Sequence, residues 1–118
     1  MTVHSALGPG FVESIYRNAM AHEFQKAGLC FVCLKPLDVH YDGVVVGKFE
    51  VDMLVDETVL LELKAVQYLV SAHEVQLVNY LTATGIEIGL VLNFGAGRLE
   101  FKRKTRTLQK PSDPDIIL

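Results

Sequence analysis

Glu62 and Lys64 stand two residues apart inside an apolar run from Val59 to Val66, a placement that calls for a chemical explanation. On an extended strand, residues i and i+2 leave the same face. The carboxylate and the ammonium therefore point together, while Leu61, Leu63 and Ala65 take the other side. Desolvating an isolated ion in such a setting costs several kcal/mol, so both groups need a partner, a metal or an open cleft. Asp52 lies on the preceding candidate strand, on its polar side with Glu50. A three-residue loop over 56–58 sets Asp52 across from Glu62 and Glu50 across from Lys64, whereas a two-residue loop sets Asp52 against Leu61. Two opposed carboxylates repel unless a cation lies between them. Mg²⁺ or Mn²⁺ suits hard oxygen ligands of this kind and keeps waters, one of which can attack a phosphodiester. Lys64 beside it is suited to orient that water or to stabilise charge on phosphate oxygens. The same spacing also fits a cross-strand ion-pair set in which Lys64 neutralises one carboxylate, and on Glu-x-Lys alone that structural meaning is the commoner one.

A second group of residues able to do chemistry lies further along the chain. His73, Gln76 and Tyr80 recur at i, i+3 and i+7, one stripe of a helix whose Val75, Leu77, Val78 and Leu81 supply apolar positions. That stripe can face the carboxylates and contact phosphate or base, or it can be an ordinary amphipathic edge with a hydrogen-bonded histidine. Near the start, Gly10-x-x-Glu13-x-x-Tyr16 fits a helix entry with Gly10 as N-cap and Glu13 as a third-position carboxylate that favours the dipole.

The elements that must carry these residues are legible from period and punctuation. Gly8-Pro9-Gly10 breaks the chain, and Phe11 to Ala27 then reads as a helix stopped by Gly28. Leu37, Val39 and Tyr41 alternate with polar residues, and Asp42-Gly43 is a two-residue hairpin signal. A long strand runs from Val44 to Val55, with Phe49, Val51, Met53 and Val55 on one face, Glu50, Asp52 and Leu54 on the other, and a bulge at Gly47. Thr58 to Val66 reads as a central strand covered on both sides. Ser71-Ala-His-Glu74 has capping-box spacing and opens a helix that ends at Thr84 before Gly85. Ile86 to Leu92 is a further strand, and Leu99 and Phe101 lead a last one into the basic stretch Lys102, Arg103, Lys104 and Arg106. Residues 111–118 read as a surface tail. The whole is an α/β fold with a mixed sheet, a single domain over 1–118.

Composition narrows the function classes. The chain has 118 residues, half of them hydrophobic, and a formal net charge of −3, so no global field attracts polyanions and nucleic-acid binding must come from a local basic patch or from metal ions. No run suits a membrane span and the start lacks a signal-peptide layout, so the expectation is a soluble, cytoplasmic protein without membrane contact. Cys30 and Cys33 form a lone C-x-x-C, too few ligands for zinc and placed after a helix end rather than at a helix N-terminus, and read as reduced, mostly core cysteines. Long strands and an apolar surplus point to self-association as a homodimer.

Taken in order, Gly10-x-x-Glu13-x-x-Tyr16, Phe49-x-x-Asp52-x-Leu54-Val55, Glu62-Leu63-Lys64-Ala65-Val66, His73-x-x-Gln76-x-x-x-Tyr80-Leu81, Gly89-Leu90 and Asn93-Phe94-Gly95 resemble the bacterial GxxExxY protein family, placed within the PD-(D/E)XK nuclease-like superfamily. The resemblance spans about 3–103. It implies a restriction-endonuclease-like core, a mixed central sheet flanked by helices in α-β-β-β-α-β order. It assigns Asp52 and Glu62 as ligands of Mg²⁺ or Mn²⁺, with the Leu63 backbone carbonyl and Glu13 as further ligands and Lys64 as the catalytic lysine. Gln76-x-x-x-Tyr80 resembles the QxxxY motif of RecB-like nucleases, and with His73 these residues are expected to contact substrate. The implied function is metal-dependent hydrolysis of nucleic acid, DNA before RNA. A non-catalytic nucleic-acid-binding or protein-interaction module on the same fold, and a metal-binding regulatory protein, are the alternatives. Cys33-Leu34-Lys35-Pro36 departs from the usual Gln-Lys-Pro of relatives, and an upstream helical turn common in relatives is expected to be missing.

Overall fold

A computed structural model describes residues 2–106. Along the chain run α1 (Thr2–Leu7), α2 (Glu13–Lys26), β1 (Phe31–Tyr41), β2 (Val44–Val55), β3 (Val59–Lys64), α3 (Ser71–Thr84), β4 (Ile88–Asn93) and β5 (Glu100–Thr105). The strands form one sheet in the order β1-β2-β3-β4-β5. β3 and β4 are parallel and the other neighbours antiparallel, which is the expected mixed sheet. The expected tail over 111–118 lies outside the described residues. No helix among the described residues is long and apolar enough to cross a membrane.

Local sequence explains the turns. Asp42 and Gly43 take φ of 53° and 75°, the pair of positive values that a two-residue hairpin requires, so Tyr41 pairs with Val44. The ladder then shifts between Val39 and His40, beside Gly47, where the sequence places a bulge. Asp56 and Glu57 also take positive φ, 52° and 60°, and the Thr58 amide donates to the Val55 carbonyl at 3.0 Å. Residues 56–58 thus make the three-residue connection, and Val55 pairs with Val59, Leu54 with Leu60 and Met53 with Leu61. Continued by one step, this register sets Asp52 against Glu62.

Helices cover both faces. Tyr16 and Met20 of α2 and Val3 of α1 pack with Met53, Leu61, Leu63, Leu92 and Phe94 on one side. Leu77 and Leu81 of α3 pack with Val51, Leu60 and Val91 on the other. α3 lies so close to β4 that a Cβ on Gly89 would stand 2.7 Å from Leu77 Cδ1, which accounts for glycine there.

Several expectations need correction. Met53 and Val55 join the α2-side cluster while Phe49 and Val51 pack on the α3 side, so β2 does not keep its odd residues on one face. The change falls at Asp52, and facing it on β1 Leu34 takes φ of 53° within a strand that likewise carries Cys33 to one side and Leu37 to the other. A left-handed residue in mid-strand rotates the rest of the strand about its axis, and strict alternation cannot foresee that. The upstream helix expected to be missing is present as α1. Its His4 ring is bonded to the Ala96 carbonyl at 2.9 Å and packs near Phe94, contacts that no local pattern reveals. α2 starts at Glu13 with Val12 as N-cap rather than Gly10, because the Tyr16 hydroxyl holds the preceding loop: it donates to the Gly8 carbonyl at 2.6 Å and accepts from the Phe11 amide at 3.1 Å. Glu13 therefore stands at the first helical position. Of the cysteines, Cys30 is exposed rather than core; Cys33 is half-buried, and burial pushes its thiol pKa up.

Candidate active site

β2 and β3 part company at Asp52, and the site occupies the fork. Where the ladder would continue, the Asp52 side chain substitutes for it: the Leu63 amide donates to Asp52 Oδ2 at 2.8 Å. The face change of β2 aims this carboxylate at the neighbouring strand, so it lies between the two faces. Glu62 sits beside it, only 6% exposed, and its buried Oε1 has no hydrogen-bond partner among the described residues. Burial foremost, then the Asp52 charge, push the Glu62 carboxyl up to about 8, against the pull of Lys64 and of a bond from the Asp52 backbone; Glu13 adds a weaker push from α2. A half-empty buried carboxylate next to a second carboxylate is the arrangement expected of a cation site rather than of a finished ion pair.

Lys64 does not neutralise either acid in a direct bridge. Its Nζ donates to Gln76 Oε1 on α3 at 3.1 Å. Tyr80 follows one turn later on α3, and its hydroxyl pKa is raised by burial first and then by Glu62 and Asp52, against a pull from Gln76. Tyr80 stacks on Phe49 of β2, ring centroids 4.2 Å apart and planes within 10°. Gln76, bonded to Lys64, and Tyr80, within electrostatic reach of both carboxylates, thus lie on the α3 side of the acids, as the helical stripe suggests. His73 stands apart in role: its Nδ1 accepts from the Val70 amide at 3.2 Å, capping α3 one residue earlier than the Ser71 box predicts. Glu74, the expected partner of that box, pairs with Lys104 at 2.7 Å instead. Asp52, Glu62, Lys64, Gln76 and Tyr80 are brought together. Glu13 lies exposed at the start of α2, and among the described residues no three His, Cys, Asp or Glu side chains converge tightly enough to hold a metal by themselves.

What fixes the Lys64 end of β3 is a buried network that residue spacing does not suggest. Asn93, fully buried, accepts from the Val66 and Gly95 amides at 2.9 and 3.0 Å and donates to Glu100 Oε1 at 2.7 Å. Glu100 Oε1 also accepts from the Leu69 amide at 3.2 Å, and the Phe94 amide donates to the Lys64 carbonyl at 2.8 Å. Gly95 is pressed against the backbone of Ala65 and Val66, where a Cβ would stand 2.6 Å from the Ala65 carbonyl carbon. Neither strand end can yield without breaking these bonds. Gly95→Ala is therefore expected to lower unfolding free energy by about 1–3 kcal/mol in denaturant titration; an unchanged midpoint would show that the loops are not locked. The signal in the sequence is the Asn93-Phe94-Gly95 triplet, whose function only the tertiary contacts disclose.

A family model described as PD-(D/E)XK nuclease superfamily matches residues 1–104. The crystal structure of SSO0001 superposes with a TM-score of 0.64 at 16% identity over 81% of this chain and 50% of that one, a similarity of fold. The chain spans about half the length of that protein. No curated protein matches it.

Proposed function

The chain belongs to the PD-(D/E)XK nuclease superfamily, and from that premise we propose that it is a divalent-metal-dependent nuclease that hydrolyses phosphodiester bonds, DNA before RNA. Nucleases of this superfamily generally use divalent metals. The observation that carries the reading here is the buried Oε1 of Glu62 beside Asp52, an atom with no hydrogen-bond partner among the described residues. That donor set fits Mg²⁺ or Mn²⁺: hard oxygens, net negative charge, and one orphaned atom that a cation would satisfy. Asp52 and Glu62 would hold the ion, with the Leu63 backbone carbonyl and Glu13 as further oxygens. Bound there, the metal supplies positive charge against the phosphate and a more acidic water. Lys64, held by Gln76, orients the attacking water and stabilises charge on the phosphate oxygens. Gln76 and Tyr80 contact the substrate, and the ring nitrogen of His73 not engaged by Val70 is free to do so. We assign the site to a single domain over 1–118, a member of the GxxExxY family, working in the cytoplasm as a homodimer.

Incubation of the protein with single- and double-stranded DNA and either metal tests this directly. Metal-dependent cleavage that Lys64→Ala suppresses supports it; no cleavage, or cleavage indifferent to Lys64, sinks it. The competing reading, a non-catalytic module, is favoured by the lack of a closed three-acid cluster among the described residues.

A further inference from the structure

Three loops meet at the end of the sheet where β3 and β4 finish, and they lock one another in place. The α1–α2 loop is tied back by Tyr16, which stacks on Phe94 with ring centroids 4.6 Å apart. The β4–β5 loop is joined to α1 through the bond between His4 and the Ala96 carbonyl, and Gly95 presses on Val66 of the β3–α3 loop. The β3–α3 loop is fastened at Val66 by Asn93 and at Leu69 by Glu100, which leaves Gln67 and Tyr68 projecting between two fixed points. From these pinned loops two aromatic side chains reach solvent: Tyr68, 63% exposed, four residues after Lys64, and Phe11, 45% exposed, two residues before Glu13. Neither belongs to the buried core, although Phe11 is steadied edge-on by Tyr16 with ring centroids 6.2 Å apart. The third loop carries Arg98, exposed and with no ion pair to another described residue.

Holding a large apolar ring in water on a rigid backbone is unfavourable in isolation, but it presents a flat surface at little entropic cost on binding. Nucleic-acid bases are flat, and an aromatic ring stacks on any of them without regard to sequence. In an intact duplex those base faces already stack on each other, so only unpaired bases can use such a ring. Resting on the nuclease reading, we infer that Phe11 and Tyr68 are stacking platforms at the mouth of the carboxylate site, with Arg98 facing phosphate, and that the substrate is single-stranded nucleic acid or a frayed end. The rim loops thus select for strandedness, and the fork between β2 and β3 carries out the chemistry.

The test uses the full chain carrying Lys64→Ala to stop cleavage, with a single-stranded oligonucleotide containing 2-aminopurine and a blunt hairpin duplex of the same sequence. Tighter binding of the single strand with quenched 2-aminopurine fluorescence is expected. Tyr68→Ala or Phe11→Ala should each weaken single-strand affinity about fivefold or more, the stacking contribution of a base, while Tyr68→Phe preserves it and duplex affinity does not move. Single-strand affinity unchanged in the Tyr68→Ala, Phe11→Ala double variant overturns the inference. If the unmutated chain nevertheless cleaves DNA, the nuclease reading stands without it; if that chain neither binds nor cleaves nucleic acid, both fall. Altered self-association in sedimentation with oligonucleotide affinity unchanged would assign the rim to a protein contact, and also overturns it.

Discussion

Glu62→Gln is expected to stabilise the metal-free protein at pH 8 and to abolish its metal-dependent activity. The stabilisation comes from linkage. The Glu62 carboxyl is pushed up to about 8 in the fold from an ordinary 4.5. Between those values the folded state holds a proton that the unfolded chain has released, so stability of the metal-free protein falls as pH rises from about 4.5 to about 8. At about 1.4 kcal/mol for each unit of difference, the loss reaches roughly 3–5 kcal/mol by the upper end of that window. An uncharged amide of the same shape removes the pH-dependent part. Unfolding of the two proteins from pH 5 to pH 8.5 in chelator should give curves that diverge with rising pH, the variant ahead; parallel curves would mean that Glu62 is not desolvated. A residue whose replacement strengthens the fold while ending activity is one retained for chemistry.

Lys64→Ala is expected to reduce cleavage about a hundredfold or more with the fold intact, the usual scale for removing a group that stabilises developing charge. Lys64 is half-buried and, among the described residues, its ammonium bonds only Gln76, so truncation leaves one half-buried amide to solvent and should cost little stability. Its charge favours the ionised Glu62 carboxylate, so without it the Glu62 pKa rises further, while a cation that competes with the metal for the pair is also gone; metal binding should therefore be retained at alkaline pH. Single-turnover cleavage at saturating Mn²⁺, compared with melting temperature, separates the two effects. Loss of activity in step with loss of stability would assign Lys64 to structure.

Residue spacing sets Glu62 and Lys64 on one face of β3 and leaves two registers open for Asp52; the three-residue connection over 56–58 selects the one that sets Asp52 against Glu62. The state of the site was not readable. Asp52 bonds the Leu63 amide because β2 changes face opposite Leu34, and that change depends on one left-handed residue no period announces. Gly10 and Ser71 looked like helix caps on local preference, but Tyr16 and His73 reach back over the loops and move each start. The tertiary roles of Asn93 and Glu100 have no local signal, because their partners, Val66 and Leu69, lie about thirty residues away in sequence and are backbone amides, which carry no residue-type signature. Tyr16 shows the reverse: a motif residue adjacent to a candidate ligand turns out to hold the loop that leads to it.

Central to the proposed chemistry is a cation between Asp52 and Glu62. A calorimetric titration of Mn²⁺ into the full chain at pH 8, beside Asp52→Asn and Glu62→Gln, measures that alone, without substrate or turnover. Saturable binding by the unmutated chain, lost in both variants, is the expected result; no binding, or binding that survives both substitutions, would contradict it.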